Sequence, residues 1–192
     1  MSNLDRFRLN FVRSIECLQT FADTQCPALL NIAGLITEQL RKGHKILLFG
    51  NGGSAADAQH IAAELVNRLC LDRPAIPAIA LTTDTSVLTS IANDFSFDRI
   101  FSRQIEALGA SGDVAFAIST SGNSPNVILG VEAAYRKNMK VVAFLGSTGG
   151  KLKELVPHAI LAPSSSAQHV QEVHITAAHT LCDYIERSLF GS

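Results

Sequence analysis

Apolar residues change their spacing near residue 45. Before it, Phe7, Phe11, Ile15, Leu18 and Phe21 recur at helical intervals, which predicts an amphipathic helix from about Leu4 to Phe21. Pro27, followed by Leu30, Leu35, Ile36 and Leu40, predicts a second helix that stops at Gly43, with the proline in the first turn where its missing N–H costs nothing. The pair reads as an N-terminal helical hairpin, either a dimerisation element or a cover for a sheet.

Beyond residue 45, short apolar runs alternate with longer amphipathic stretches. Strands are predicted over Lys45–Phe49, Ile76–Leu81, Val114–Ile118, Val141–Leu145 and Ala159–Leu161. Helices are predicted over Ala55–Leu69, Thr85–Phe95, Ile100–Leu108, Asn126–Lys137, Leu152–Val156 and Ser166–Leu189. Alternation of this kind gives a parallel sheet buried on both faces and joined by right-handed crossovers. The expected fold class is α/β, a three-layer αβα sandwich around a five-stranded parallel sheet. No linker divides residues 1–192, so one domain is expected: N-terminal helices (1–43), an α/β core (44–165) and a long C-terminal helix (166–190). That last helix is long for a peripheral cover, which points to contact with another subunit.

Composition narrows the function classes. With 47% hydrophobic and 17% charged residues the chain is globular, and a net charge of -1 without a Lys/Arg stripe argues against direct nucleic-acid binding. Cys17, Cys26, Cys70 and Cys182 form no CxxC pair and read as reduced structural thiols. No apolar run resembles a signal peptide or spans a bilayer, so a soluble cytoplasmic protein with no membrane partner is expected.

Two loops carry the chemistry, each following a strand and opening a helix. In Ser119-Thr120-Ser121-Gly122-Asn123-Ser124-Pro125, hydroxyls and free N–H groups at a helix start suit three phosphate oxygens. No lysine follows in the nucleotide-loop pattern, and the plainer alternative is a serine-rich turn with a helix cap. In Gly50-Asn51-Gly52-Gly53-Ser54 the glycines allow close approach to the backbone, but their spacing is not that of a dinucleotide site. A phosphorylated sugar fits two such loops better than a nucleotide does.

His60 and Glu64 share one helix face beside the first loop, while Gln171, Glu172, His174 and His179 lie on the last helix. A carboxylate and an imidazole facing an α-hydroxycarbonyl can move a proton between adjacent carbons. His60, Glu64 and His179 can equally form a zinc set completed by Gln171. Gln171 and His179 are about 12 Å apart on an ideal helix, with roughly 80° of azimuth between them, so both reach one ion only through extended side chains. A solvent-facing ion pair for His60–Glu64, and simple packing for His174, are the competing readings. Asp84, Asn93 and Asp94 follow the second strand and suit either sugar hydroxyls or helix caps.

Taken together, Gly50–Ser54 with His60 and Glu64, Ser119–Ser124, and Gln171-Glu172-Val173-His174 with His179 resemble the phosphoheptose isomerase family of the sugar isomerase (SIS) superfamily, over nearly the whole chain. The resemblance implies a flavodoxin-like SIS fold and a homotetramer with sites at subunit boundaries. It also implies conversion of sedoheptulose 7-phosphate to D-glycero-D-manno-heptose 7-phosphate for lipopolysaccharide heptose. It carries zinc, one ion per subunit, onto His60, Glu64, Gln171 and His179, and the base and acid roles onto Glu64 and His179. Phosphate-binding hydroxyls fall on Ser119, Thr120, Ser121 and Ser124, and sugar contacts on Asn51, Gly52, Gly53, Ser54, Arg68, Asp94, Gln168 and Gln171. Gln168-His169 departs from the Asp-Arg that many of these isomerases carry there, which puts sugar selectivity or a boundary ion pair in question. A sister group of tetrameric proteins that bind the bacterial replication initiator is nearly as similar, notably over Arg73–Leu81. That alternative implies an initiator-protein partner and degenerate chemistry, whereas Glu64 and His179 favour the enzyme.

Overall fold

The computed structural model describes residues 1–191. Its sheet has five parallel strands, β1 (Ile46–Gly50), β2 (Ala78–Ala80), β3 (Val114–Ser119), β4 (Lys140–Leu145) and β5 (Ala159–Leu161), in the order β2-β1-β3-β4-β5. β1 and β3 are buried at every position, which is why they read as unbroken apolar runs. The expected α/β sandwich is present. One layer holds α1 (Asn3–Arg41), α2 (Gly53–Val66) and α7 (Ala167–Phe190), packed on Ile46, Leu48, Phe116 and Phe144. The other holds α3 (Thr85–Asp94), α4 (Ile100–Leu108), α5 (Pro125–Arg136) and α6 (Gly150–Leu155), packed on Leu47, Phe49, Ala115 and Leu145.

The order of the strands positions the site. β1 and β3 are neighbours, with Gly50 opposite Ile118. The chain leaves β1 into α2 on one face and leaves β3 into α5 on the other. A crevice therefore opens at the carboxyl ends of these two strands, where ligands bind in open α/β sheets. Both glycine/serine loops line it.

The N-terminal hairpin is not formed. Residues Asn3–Arg41 make one continuous 39-residue helix with Pro27 inside it, started by a capping box between Ser2 and Asp5. An interior proline costs a helix about 3 kcal/mol. Phe21 before it and Leu29, Ile32 and Ile36 beyond it are buried in one core, so the continuous helix seats both halves on the same face of the sheet. Gln25 also ties this stretch to the sheet edge, its Oε1 accepting the Leu161 N–H at 3.0 Å. No glycine or asparagine between Phe21 and Pro27 offers a turn, so the helix runs through. The first half of α1 leaves Phe7 (71% exposed), Phe11 (69%) and Ile15 (65%) uncovered.

Among the described residues no helix is long and apolar enough to cross a membrane, and all four cysteines are free.

Candidate active site

The serine loop builds its own cup. Gly122 adopts φ 66°, and a Cβ there would lie 1.9 Å from the Gly149 carbonyl oxygen, so only glycine lets the loop close against the β4–α6 connection. Ser119 at the end of β3 is buried and accepts the Gly122 N–H at 3.1 Å, while Ser121 accepts the Asn123 N–H at 3.1 Å. Ser124 stands at the N-cap of α5 with Pro125 behind it, yet its hydroxyl makes no capping bond. Instead the hydroxyl sits 3.5 Å from Ser119 Oγ. The plain capped-turn reading predicts the opposite arrangement. Asn51, Ser54, Ser119, Thr120 and Ser124 line a notch of about 60 Å³ here. Asn51 is held by a reciprocal amide pair with the buried Asn126, at 2.8 and 2.9 Å.

Behind this cup, buried His174 supports the neighbouring strand end. Its Nε2 is 3.1 Å from the Leu145 carbonyl oxygen, and Leu145 lies opposite Ser119 in the sheet. Burial pushes the His174 pKa down to about 4, so the neutral ring is what packs against Phe144. The packing reading of His174 therefore describes its surroundings.

The second group of side chains joins α2 to α7. His60 Nε2 lies 3.1 Å from Glu64 Oε1 and 3.0 Å from His179 Nε2. One ligand atom from each of the three falls within 4.8 Å of the others. Ligands at 2.0–2.1 Å from a tetrahedral zinc stand about 3.3 Å from one another, so this donor set fits such an ion. Cys182, buried one helical turn from His179, is no competitor. Burial, with the Glu64 and Glu186 charges, pushes its thiol up to about 12.

Gln171 approaches the cup side from α7. A Cβ on Gly53 would lie 2.2 Å from Gln171 Nε2, so the missing side chain at the start of α2 lets the amide lie against the first loop. Gln168 and Gln171, with Ala56, Asp57, His60, Glu172 and Ile175, line a groove of about 380 Å³. Gly52 is the N-cap of α2.

Two of the predicted residues stand apart. Arg68 is exposed beyond the end of α2, 3.9 Å from Asp72, and Asp94 is exposed at the end of α3, accepting from Asn93 Nδ2 at 2.9 Å. Neither lines the notch or the groove. Asp84 caps α3, accepting the Val87 N–H at 2.9 Å.

Two further residues were not singled out from the sequence. Asn126 orients Asn51 as described. Asp57 sits one turn before His60 with its Oδ2 buried and unpartnered, and desolvation raises its pKa to about 6 against the opposing pull of His60. Its place on the same helix face as His60 and Glu64 was the available signal. The Gln168-His169 departure leaves buried His169 with Nδ1 3.6 Å from Glu172 Oε2, which also accepts the Ser14 hydroxyl of α1.

Comparison with known proteins places this geometry. The SIS domain family matches residues 10–146. A phosphoheptose isomerase of Geobacter sp. (strain M21) is 54% identical over 187 residues, 97% of each chain. The structure of a phosphoheptose isomerase from Neisseria gonorrhoeae superposes with a TM-score of 0.90 at 42% identity, covering 96% of this chain and 99% of that one. One from Francisella tularensis gives a TM-score of 0.93 at 37% identity, covering 97% and 100%. With a family model over residues 10–146 and relatives of 37–54% identity matched over nearly their whole length, the chain belongs to the phosphoheptose isomerases of the SIS-domain family.

Proposed function

We propose that the chain interconverts D-sedoheptulose 7-phosphate and D-glycero-D-manno-heptose 7-phosphate by proton transfer through a cis-enediolate, supplying lipopolysaccharide heptose. The observation that carries the chemistry is convergence: Glu64 and His179, 115 positions apart in sequence, offer ligand atoms within 4.8 Å of each other. Ser119, Thr120 and Ser124, which line the notch at the start of α5, and Ser121 beside them hold the substrate phosphate. Asn51 and Ser54 of the notch and Gln168 and Gln171 of the groove border the open-chain sugar, with Gly52 and Gly53 at the start of α2 between them.

Glu64 takes the proton from C1 of the ketose. C2 gains a proton while the O1 hydroxyl proton passes to O2, with His179 assisting the transfer at the oxygen or C2, and its neighbour His60 steadies the ring through the Nε2 contact at 3.0 Å. His60, Glu64, Gln171 and His179 would hold one zinc per subunit, and such an ion supplies Lewis acidity toward the sugar oxygens. The protein assembles as a homotetramer in the cytoplasm. Exposed Phe7, Phe11 and Ile15 on α1 are the apolar stripe that a second copy covers. Arg68 and Asp94, exposed and away from their own subunit's groove, reach the sugar of a neighbouring subunit.

The test is conversion of sedoheptulose 7-phosphate by purified protein, resolved by sugar-phosphate chromatography, before and after chelation and zinc restoration. Turnover that falls on chelation and returns with zinc supports the reading. Absence of turnover in both zinc-restored and untreated protein overturns it.

A further inference from the structure

The last turn of α2 carries Glu64 but no basic residue, so its terminal carbonyls have no cation from their own helix. The cation comes from the following loop. Arg73 Nη2 donates to the Glu64 carbonyl at 2.9 Å and Nη1 to the Leu65 carbonyl at 2.7 Å. The same guanidinium pairs with Glu186 of α7, Nε to Oε1 at 3.0 Å and Nη2 to Oε1 at 2.9 Å, with side chains 1% and 0% exposed. Glu186 in turn accepts the N–H groups of Leu69 at 2.7 Å, Cys70 at 2.9 Å and Leu71 at 3.0 Å. A carboxylate on α7 thus gathers the loop that leaves α2, and an arginine of that loop holds the end of α2 itself.

Glu186 lies about two turns beyond His179 on the same face of α7. The ion pair therefore spans the two helices that supply His60, Glu64 and His179, and it grips α2 at the backbone of Glu64. We infer that Arg73 and Glu186 are positioning residues that set α2 against α7, and so set the divalent-metal affinity of the His60–Glu64–His179 cluster independently of the serine cup. The inference rests on the metal-site reading above. The cup shares no polar contact with the pair; its supports are Gly122, Asn126 and the Leu145 strand end.

The experiment measures zinc affinity by competition with a chromophoric chelator, and inorganic phosphate affinity by calorimetry, on full-length protein. Arg73→Lys keeps the charge and loses the planar fork, so zinc affinity drops less than in Arg73→Met. Stranding one buried charge threatens folding, so the deciding variant is Arg73→Met/Glu186→Gln, which removes both charges and keeps an acceptor for the loop N–H groups. In that variant zinc binding weakens about 10-fold or more while phosphate affinity stays within about twofold. Zinc affinity equal to the parent's in the folded double variant overturns the inference, as does an equal loss of phosphate affinity, which marks general loosening. A parent protein that takes up no zinc overturns the metal-site reading as well, and that outcome is distinct from the other two.

Discussion

Ser119 and Ser124 are five positions apart in one turn, whereas His60 and His179 are 119 positions apart on two helices. The cup is a local structure. Its shape follows from Gly122, the β3 strand end and the start of α5, and most of its ligand-facing groups come from one stretch of chain. The imidazole–carboxylate cluster is a tertiary structure, and it exists only because α2 and α7 pack on the same face of the sheet. One end of the site can therefore be damaged without the other. That separation is the physical content of a substrate with an anchored tail and a reacting head.

The largest expected effect falls on the head. Glu64→Gln removes the base while keeping volume, and kcat drops about 10²–10⁴-fold. Phosphate affinity, measured by calorimetry with inorganic phosphate, stays at the parent value. Retained turnover, or parallel loss of phosphate binding, breaks the division between the two ends.

Next in size is the tail. Ser119→Ala/Ser124→Ala removes two hydroxyls that face a charged group, each worth about 1.5–3 kcal/mol. KM for the sugar phosphate rises at least about 10-fold, with kcat changed far less. A fall in kcat with unaltered KM in steady-state kinetics would move the phosphate elsewhere.

The same division governs what could be read before folding. Both loops were legible because each is contiguous, with strand, small residues and helix in order. His60 and Glu64 were legible through helical spacing, and His179 as an imidazole of the last helix suited to a shared metal set, while its acid role came only from the family resemblance. Pairing of β1 with β3, which brings the two loops together, is a sheet-level fact without a local signal. The continuous α1 was misread at Pro27 because local propensity placed a helix start there, while the helix seats Phe21 before the proline and Leu29, Ile32 and Ile36 after it in one core. Arg73 and Glu186 could not be paired at all across 113 positions. Asn126 and Asp57 were hidden for another reason: their importance lies in a partner held or a partner missing.

The smallest expected effects sharpen the comparison through pH. Asp57, beside the cluster, has its folded pKa raised by burial to about 6 from 3.8. Between those values the folded state holds the extra proton, so this group favours folding as pH falls and costs stability above pH 6. His174, behind the cup, has its folded pKa lowered by burial to about 4 from 6.5, so stability is lost as pH falls through that window. The two ends of the site oppose each other over the same acidic range, and the parent's stability curve conceals both. Asp57→Asn raises Tm at pH 8, and the gain shrinks toward pH 4, where the native carboxyl is already neutral. His174→Leu does the reverse. It loses the bond to the Leu145 carbonyl at pH 8, about 1 kcal/mol, and recovers roughly 2 kcal/mol relative to the parent by pH 5. In thermal melts from pH 4 to 8 the Tm differences of the two variants from the parent therefore change with opposite slopes, Asp57→Asn converging on the parent at low pH and His174→Leu crossing it. Parallel curves would show that neither group is held in the protonation state its burial dictates.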